Sequence, residues 1–318
     1  MQVKIKNWRC IEEVEFDLSR INIFLGQNAT GKSSLAYALY VLSRSHRFSP
    51  LNVIKNVYSD LWKVVRREND TGCFPIELTV EDFSIEIYDD RRFAKQGKAV
   101  WSDETLLPSG RIVHFQIFEL IKSGLKTESD IMALPLPSVA KEYIRNLLEL
   151  KINIRKTIIA MLSDQSYTII PEVKDIQMIV RDEYTNLIQT PIDLPPDGTL
   201  DRLLIESALK AKPENSLIVI EEPEIHKNPL LQIDMINRIT ELALSKKLTV
   251  VMTTHSEIIP LSIAKLIEEN KLRPDDVRIY YLTRSKDEPW TKVKKIEIYE
   301  DGTLEELPDS EKVTAQLF

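Results

Sequence analysis

Hydrophobic positions follow two different periods through the second half of the chain. Short apolar runs predict buried strands of a parallel sheet at 217–220, 248–252 and 277–282. Apolar residues at helical spacing predict intervening helices over 200–210, 230–244 and 258–270. Because helices and strands alternate, this half indicates an α/β fold with a mostly parallel core sheet.

The first third of the chain has a different pattern. Alternation of period two predicts strands at 3–5 and 11–16 and a hairpin of 74–80 with 83–88. The same reading predicts an amphipathic helix over 50–67, a loop at 95–98, and strands at 100–101 and 111–115. We therefore expect an antiparallel β subdomain beside the core sheet.

The middle of the chain combines a helix with short strands. Pro135 and Pro137 precede an amphipathic helix over 138–162, and strands follow at 167–170, 176–180 and 187–190. A turn-rich break covers 191–199, and 293–299 with 304–307 predicts a closing hairpin. We expect a single domain over 1–318, built from an N-terminal lobe (1–134), a helical and β insertion (135–190) and a C-terminal lobe (191–318).

Composition narrows the class of protein. The chain has 318 residues, of which 43% are hydrophobic and 29% charged, with a net charge of −7, so no overall basic field indicates nucleic acid binding. Cys10 and Cys73 are too far apart in sequence to indicate a zinc site or a disulfide framework. The N-terminus alternates like a strand rather than a signal peptide, and no apolar run reaches the ~18–20 residues of a membrane span. These observations predict a soluble, cytoplasmic protein that does not enter a membrane.

A glycine loop joins the apolar run 21–25 to a predicted helix that continues to about Arg44. Its sequence fits the phosphate-binding pattern G-x-x-x-x-G-K-[ST] with Gly26, Gln27, Asn28, Ala29, Thr30, Gly31, Lys32 and Ser33. Glycines let backbone N–H groups curve around a phosphate, and the helix N-terminus adds partial positive charge. We expect Lys32 to reach the β- and γ-phosphates of ATP, Ser33 to ligate Mg²⁺, and Ser34 to complete the nucleotide contacts.

Acids for hydrolysis follow the apolar strand 217–220. Glu221 would hold the Mg²⁺ shell, and Glu222 would polarise the attacking water. The next apolar strand ends in Thr253-Thr254-His255-Ser256, which places His255 beside the expected γ-phosphate. A neutral imidazole there can hydrogen-bond phosphate or water. The sequence therefore predicts Glu222 and His255 as catalytic residues.

The order of these motifs resembles the ABC-class ATPases of the SMC/RecF/RecN/OLD group. The matching segments are Asn7-Trp8-Arg9-Cys10, Gly26–Ser33, Asp197-Gly198-Thr199-Leu200, Glu221-Glu222-Pro223-Glu224-Ile225-His226 and Thr254-His255-Ser256. The resemblance covers most of the chain, but we identify no particular resemblance for the middle region, about 45–190. It implies a P-loop NTPase head of ABC-ATPase type.

The resemblance also implies further site residues. Arg9 would lie by the nucleotide, and Gly198 would belong to a signature motif that reaches the ATP of a second copy in a homodimer. The resemblance calls for a Q-loop glutamine at the metal, and Gln116 is the candidate. The sequence departs from the family where Pro196 occupies the signature serine, which removes a hydroxyl and an N–H. Long coiled-coil arms and a Toprim nuclease domain are both missing from the pattern.

Three functions are compatible with these features. The leading one is a Mg²⁺-dependent ATPase that dimerises head to head, in DNA repair or phage defence. The second is a nucleotide-gated binding module for a separate nuclease, effector protein or DNA. The third, ranked lowest, is the ATPase subunit of a transporter, which the missing "LSGGQ" motif disfavours.

Overall fold

The computed structural model describes residues 1–114, 128–134, 136–149, 168–170, 177–179 and 197–308. Strands in the first half are β1 (Gln2–Trp8), β2 (Ile11–Asp17), β3 (Ile21–Gly26), β4 (Arg67–Glu68), β5 (Thr71–Gly72), β6 (Ile76–Val80), β7 (Phe83–Ile87), β8 (Phe93–Gln96) and β9 (Glu104–Leu107). Strands further along are β10 (Thr168–Ile170), β11 (Gln177–Ile179), β12 (Leu217–Glu221), β13 (Thr249–Thr253), β14 (Val277–Thr283) and β15 (Lys292–Ile296). The helices are α1 (Lys32–Arg44), α2 (Pro50–Tyr58), α3 (Glu128–Met132), α4 (Ser138–Glu149), α5 (Asp197–Ala211), α6 (Pro229–Ser245) and α7 (Ile258–Glu268).

A six-stranded sheet of order β15-β14-β3-β13-β12-β9 forms the core, and all its pairings are parallel except β14 with β15. The register pairs Glu221 with Thr253, Thr253 with Phe24, and Leu282 with Gly26. The carboxyl ends of β12, β13, β3 and β14 therefore lie side by side. This arrangement confirms the predicted α/β class with a mostly parallel core sheet.

The two faces of this sheet carry separate hydrophobic cores. Ile218 and Ile220 pack with helices α5, α6 and α7, whereas Leu217 and Val219 pack with α1, α2 and the β subdomain. Alternate residues of one strand thus enter opposite cores, as the pleat of a strand requires. Burial on both faces is the reason that this strand is apolar throughout.

The predicted antiparallel β subdomain is a five-stranded sheet of order β2-β1-β6-β7-β8. Helix α1 lies between this sheet and the core sheet, and its buried apolar residues run from Leu35 to Leu42. The helix that begins at the glycine loop is therefore held on two sides.

Several predicted elements in the first third are wrong. The expected helix over 50–67 ends at Tyr58, because Ser59 is left-handed (φ 68°) and a 3-10 turn over Leu61–Lys63 follows. The chain then returns to the end of β1, where Val65 bridges Trp8. Val53 and Val57 are buried on α2 itself. The apolar residues beyond it, Leu61, Val64 and Val65, are buried in this turn and in the return to β1.

Corrections also apply beyond the hairpin. The expected loop at 95–98 contains the end of strand β8, which pairs with β7. Residues 100–101 are not a strand, and 111–114 are helical; the sheet edge is β9, which pairs with β12.

Later elements match the sequence more closely. Helix α5 begins at Asp197, three residues before the expected start. Strands β10 and β11 confirm two of the short strands, and a bridge between Ile298 and Leu304 closes the predicted C-terminal hairpin. The expected strand at 187–190 and the remainder of the helix over 138–162 lie outside the described residues.

Candidate active site

Two glycines shape the loop between β3 and α1. Gly26 has φ +141°, and a Cβ there would lie 2.3 Å from the carbonyl oxygen of Leu282. Gly31 has φ +105°, and a Cβ there would lie 2.4 Å from Thr291 Oγ1. Both positions combine a conformation that L side chains avoid with a space too small for a methyl group. The G-x-x-x-x-G spacing is therefore required by the backbone itself.

The loop has the donors that a phosphate chain needs. Gly31 is the N-cap of α1 and makes no side-chain cap hydrogen bond, so a phosphate can approach the N–H groups of the helix N-terminus. Lys32 Nζ donates to the carbonyl oxygens of Gly26 (2.7 Å) and Gln27 (2.8 Å). Ser33 is exposed at the first turn. This cradle fits a nucleotide phosphate chain, and the Ser33 hydroxyl is an oxygen donor of the kind that Mg²⁺ prefers.

Lys32 is held in an unusual environment for a lysine. The residue is only 6% exposed. Burial lowers the pKa of its ammonium to about 8, although the carboxylates of Glu222, Glu224 and Glu221 oppose that change. An anion bound in the cradle would compensate the buried charge.

The two acids at the end of β12 face different surroundings. Glu221 is buried, and its Oε2 accepts hydrogen bonds from Tyr37 Oη (2.6 Å) and from the backbone N–H of Ser109 (3.3 Å). Glu222 is half-buried and left-handed (φ 46°), and its N–H donates to Thr253 O at 2.8 Å. Burial raises the pKa of the Glu222 carboxyl, and the charges of Glu221 and Glu224 raise it further. Glu222 therefore has a higher proton affinity than an ordinary glutamate.

His255 lies opposite Glu222, just beyond the end of β13. Its Nε2 is 3.9 Å from Glu222 Oε1. Glu224 fixes the histidine's backbone, because Glu224 Oε1 accepts from Thr254 Oγ1 (2.7 Å) and from the His255 N–H (2.9 Å). Burial, assisted by the charge of Lys32, lowers the pKa of the His255 imidazole. The ring is therefore neutral at neutral pH.

The other predicted site residues lie around this centre. Arg9 places its guanidinium over the ring of Tyr58, 5.2 Å from the centroid. Ser34 O accepts the indole N–H of Trp8 at 2.9 Å. Gly198 lies against the segment that follows Glu222, since a Cβ there would be 2.7 Å from His226 O. Gln116 and Pro196 lie outside the described residues, so their predicted roles stay predictions.

Sequence reasoning missed two residues that contact the acids. Tyr37 lies on α1 and hydrogen-bonds Glu221, but its apolar neighbours made it look like an ordinary core residue. Arg111 donates to the carbonyl oxygens of Glu221 (2.6 Å) and Glu222 (3.2 Å). The sequence pattern predicts a strand at 111–115, and no local pattern indicates that Arg111 is a partner of β12.

Comparison with known proteins defines the class. The family model described as "AAA ATPase domain" matches residues 1–190 and 202–259, which is well over half of the chain. Proteins described as "DNA replication and repair protein RecF" match shorter segments. The protein of Lysinibacillus sphaericus is 34% identical over 85 residues (25% of this chain, 22% of that protein), and that of Chlamydia abortus 28% over 106 residues (33% and 26%). The chain thus matches about a quarter of the length of these relatives.

Solved structures support the fold. The "SMC head domain from Thermotoga maritima" has a TM-score of 0.52 at 12% identity, with 93% of this chain and 98% of that chain covered. A structure titled "SmcHead bound to the C-winged helix domain of ScpA" has a TM-score of 0.55 at 13% identity, with 94% and 98% covered. The fold and the site define a P-loop ATPase of the ABC class, similar to SMC and RecF proteins. The chain belongs to the family described as "AAA ATPase domain".

Proposed function

We propose that the chain binds ATP with Mg²⁺ at this site, and that ATP drives two copies together head to head until hydrolysis releases them. The observation that carries the proposal is the convergence of the glycine loop, Glu221, Glu222 and His255 at the carboxyl ends of adjacent parallel strands. Ligands of open α/β sheets bind at this edge.

Each residue of the site has a chemical role in this proposal. The loop N–H groups and Lys32 bind the phosphates, while Ser33 and Glu221 would hold Mg²⁺. When bound, the metal ion supplies charge stabilisation to the phosphoryl oxygens. Glu222 accepts the proton of the attacking water, and its raised pKa suits that task. Neutral His255 orients the water or the γ-phosphate as a hydrogen-bond partner.

A second copy would complete the site. Gly198 lies at the start of α5, next to the segment that follows Glu222, where a partner's nucleotide could contact the helix N-terminus. An exposed apolar patch lies beside it at the start of α6, formed by Leu230 (77% exposed), Leu231 (42%) and Ile233 (40%). We propose that this surface contributes to the interface between copies.

The similar proteins support a proposal for the cellular role. RecF proteins are described as DNA replication and repair proteins, and we propose a role in DNA repair or phage defence, in the cytoplasm. No helix in the described ranges combines the length and apolar character needed to cross a bilayer. One similar structure is an SMC head bound to a winged-helix domain of ScpA, and the apolar patch on α6 of this chain also suits a protein partner. A nucleotide-gated module for a nuclease or effector is therefore the second candidate.

Turnover measurements test the proposal. Wild-type protein with Mg²⁺ should hydrolyse ATP, and Lys32→Ala should lose binding and turnover. Lys271→Ala, on an exposed turn after α7, is the matched control and should behave like wild type. A wild-type protein that neither binds nor hydrolyses ATP would contradict the proposal. Stimulation by DNA or a partner protein from a low basal rate would favour the second candidate.

A further inference from the structure

Arg111 is a fully buried arginine (0% exposed) that holds the backbone of both acids. Its Nη1 donates to Glu221 O at 2.6 Å and to Pro108 O at 3.2 Å. Its Nη2 donates to Glu222 O at 3.2 Å. Glu222 is thus held on its N–H side by Thr253 and on its carbonyl side by Arg111, in a left-handed conformation that costs a non-glycine residue free energy.

A buried carboxylate fixes the guanidinium in turn. Arg111 Nη2 donates a hydrogen bond to Asp201 Oδ2 at 2.8 Å, and Arg111 Nε lies 2.5 Å from Asp201 Oδ1 in the same ion pair. Lys227 pairs with the same carboxylate, and its side chain is as buried as that of Asp201. These three residues form the Arg111 cluster. Two cations share one carboxylate out of water, so loss of the carboxylate would leave both buried cations uncompensated.

The cluster joins three segments of the site. Asp201 lies one turn into α5, Lys227 lies in the segment between Glu222 and α6, and Arg111 contacts the end of β12. Gly198 adds a direct backbone contact, because its close approach to His226 O leaves no room for a methyl group. A shift of the α5 N-terminus therefore has to move the carboxylate to which Arg111 is anchored.

We infer that Arg111 is a positioning residue that transmits the position of the α5 N-terminus to the backbone of Glu222. The inference rests on the proposed function, in which a second copy engages the start of α5. Engagement there would be transmitted through Asp201 and Arg111 to the base that activates water. The prediction is that the cluster sets the rate of hydrolysis rather than the affinity for ATP.

The substitution Arg111→Lys tests this inference, because lysine keeps the charge but loses the fork that reaches both carbonyl groups. We expect kcat to fall about tenfold to hundredfold, with KM for ATP within about threefold of wild type. The matched control is Arg44→Lys. Arg44 is also buried and pairs with Glu104 (3.0 Å) and Glu142 (3.1 Å), but it lies at the opposite end of α1 from Lys32, about 18 Å along the helix axis.

Hydrogen exchange without nucleotide gives a second readout that does not depend on turnover. Arg111→Lys should accelerate amide exchange over residues 221–227, whereas Arg44→Lys should leave that segment unchanged. Asp201→Asn should act on the same segment, and the double variant should cost little more in kcat than the worse single variant, because both substitutions break one unit.

The outcomes separate the two proposals. A wild-type chain that does not bind or hydrolyse ATP sinks the proposed function, and the exchange measurement then decides the positioning role alone. The positioning role is overturned if amide exchange over residues 221–227 is as slow in Arg111→Lys as in wild type. It is also overturned if the kcat of Arg111→Lys stays within about twofold of wild type. An equal loss of kcat in Arg44→Lys would overturn it too, because it would indicate general destabilisation.

Discussion

Lys32 is a buried cation, and the phosphates of ATP are its counter-ion in the proposed function. Its pKa of about 8 reflects burial, and bound phosphates would restore it toward the ordinary value of 10.5. We therefore predict that ATP binding at pH 9 takes up a proton, so that affinity weakens as pH rises through this window. Calorimetry in two buffers of different ionisation enthalpy measures that uptake.

The same group makes a checkable contribution to stability. Between pH 8 and 10.5 the unfolded chain binds more protons at Lys32 than the folded chain, so this residue makes the free energy of unfolding rise with pH. Lys32→Met removes the titrating group, so the free energy of unfolding should lose this rise with pH. Buffer-independent binding enthalpy at pH 9 would contradict the assignment.

Tyr37 and Tyr40 provide a matched pair on one helix. Both are buried, and each donates a 2.6 Å hydrogen bond to a glutamate, Tyr37 to Glu221 and Tyr40 to Glu142. We predict that Tyr37→Phe lowers Mg²⁺-dependent kcat about tenfold, because Glu221 loses the partner that orients its carboxylate. A magnesium titration of turnover measures the effect.

Tyr40→Phe is the control, because it removes an equivalent tyrosine–glutamate hydrogen bond about one turn of α1 away from the site. It should lower the melting temperature without changing the magnesium dependence. Equal magnesium curves for Tyr37→Phe and wild type would show that Glu221 needs no positioning by this tyrosine.

At this scale the sequence predicts residues that follow a motif and misses those that only pack against it. Glu221, Glu222 and His255 were placed because apolar strands precede them, and the structure brings these residues together. Arg111 depends on a partner 90 residues away, Asp201, and on backbone carbonyls of β12. The local pattern of hydrophobic and polar residues does not indicate a contact between residues so far apart in the sequence.

The connection between β14 and β15 braces the glycine loop. Thr291 Oγ1 donates to Thr30 O at 2.9 Å, and Arg284 Nη1 donates to Ala29 O at 2.9 Å. We predict that Thr291→Val loosens the loop and raises KM for ATP about fivefold with little change in kcat, because the valine cannot donate to Thr30. Steady-state kinetics separate the two constants.

A buried threonine elsewhere supplies the comparison. Thr240 on α6 is 3% exposed, and its hydroxyl has no hydrogen-bond partner among the residues that the structure describes. Thr240→Val should therefore leave both kinetic constants at wild-type values. If Thr291→Val also leaves KM unchanged, the connection does not support the loop.

The sequence predicts helices and strands best where the burial of the residues matches the period of the hydrophobic pattern. Strands β12 and β13 are buried on every residue, and their apolar runs indicated them directly. The helix predicted over 50–67 is wrong beyond Tyr58, because Ser59 adopts a left-handed conformation that ends the helix. The helical spacing of apolar residues continues past that point and gives no sign of the end. The sequence pattern does not indicate strand β8, because β8 is an exposed edge strand held mainly by its pairing with β7.

The order of strands in the whole sheet was beyond the reach of the pattern. Strand β3 inserts between β13 and β14, which lie more than 220 residues later in the chain. That insertion places the glycine loop beside the strand end that leads to His255. Periodicity identifies buried strands, but tertiary packing decides which of them become neighbours.

Association of two chains is the property that most needs the whole molecule. We predict that Glu222→Gln with ATP and Mg²⁺ accumulates dimer, because binding persists while hydrolysis, which releases the copies, is slowed. In that background Leu230→Glu should weaken dimerisation at least about tenfold, since a charge would enter the apolar patch at the start of α6. Sedimentation velocity across a range of protein concentrations measures both effects.

The control for this experiment is a charge of the same kind at another exposed apolar residue. Tyr299, 56% exposed on the C-terminal hairpin, lies on a different part of the chain, and Tyr299→Glu should leave the dimer intact. Lys32→Ala should remain monomeric with ATP, because the nucleotide is required to bridge the copies. If Glu222→Gln stays monomeric with ATP bound, the two copies do not pair through this site, and the apolar patch on α6 is left as a surface for a different protein.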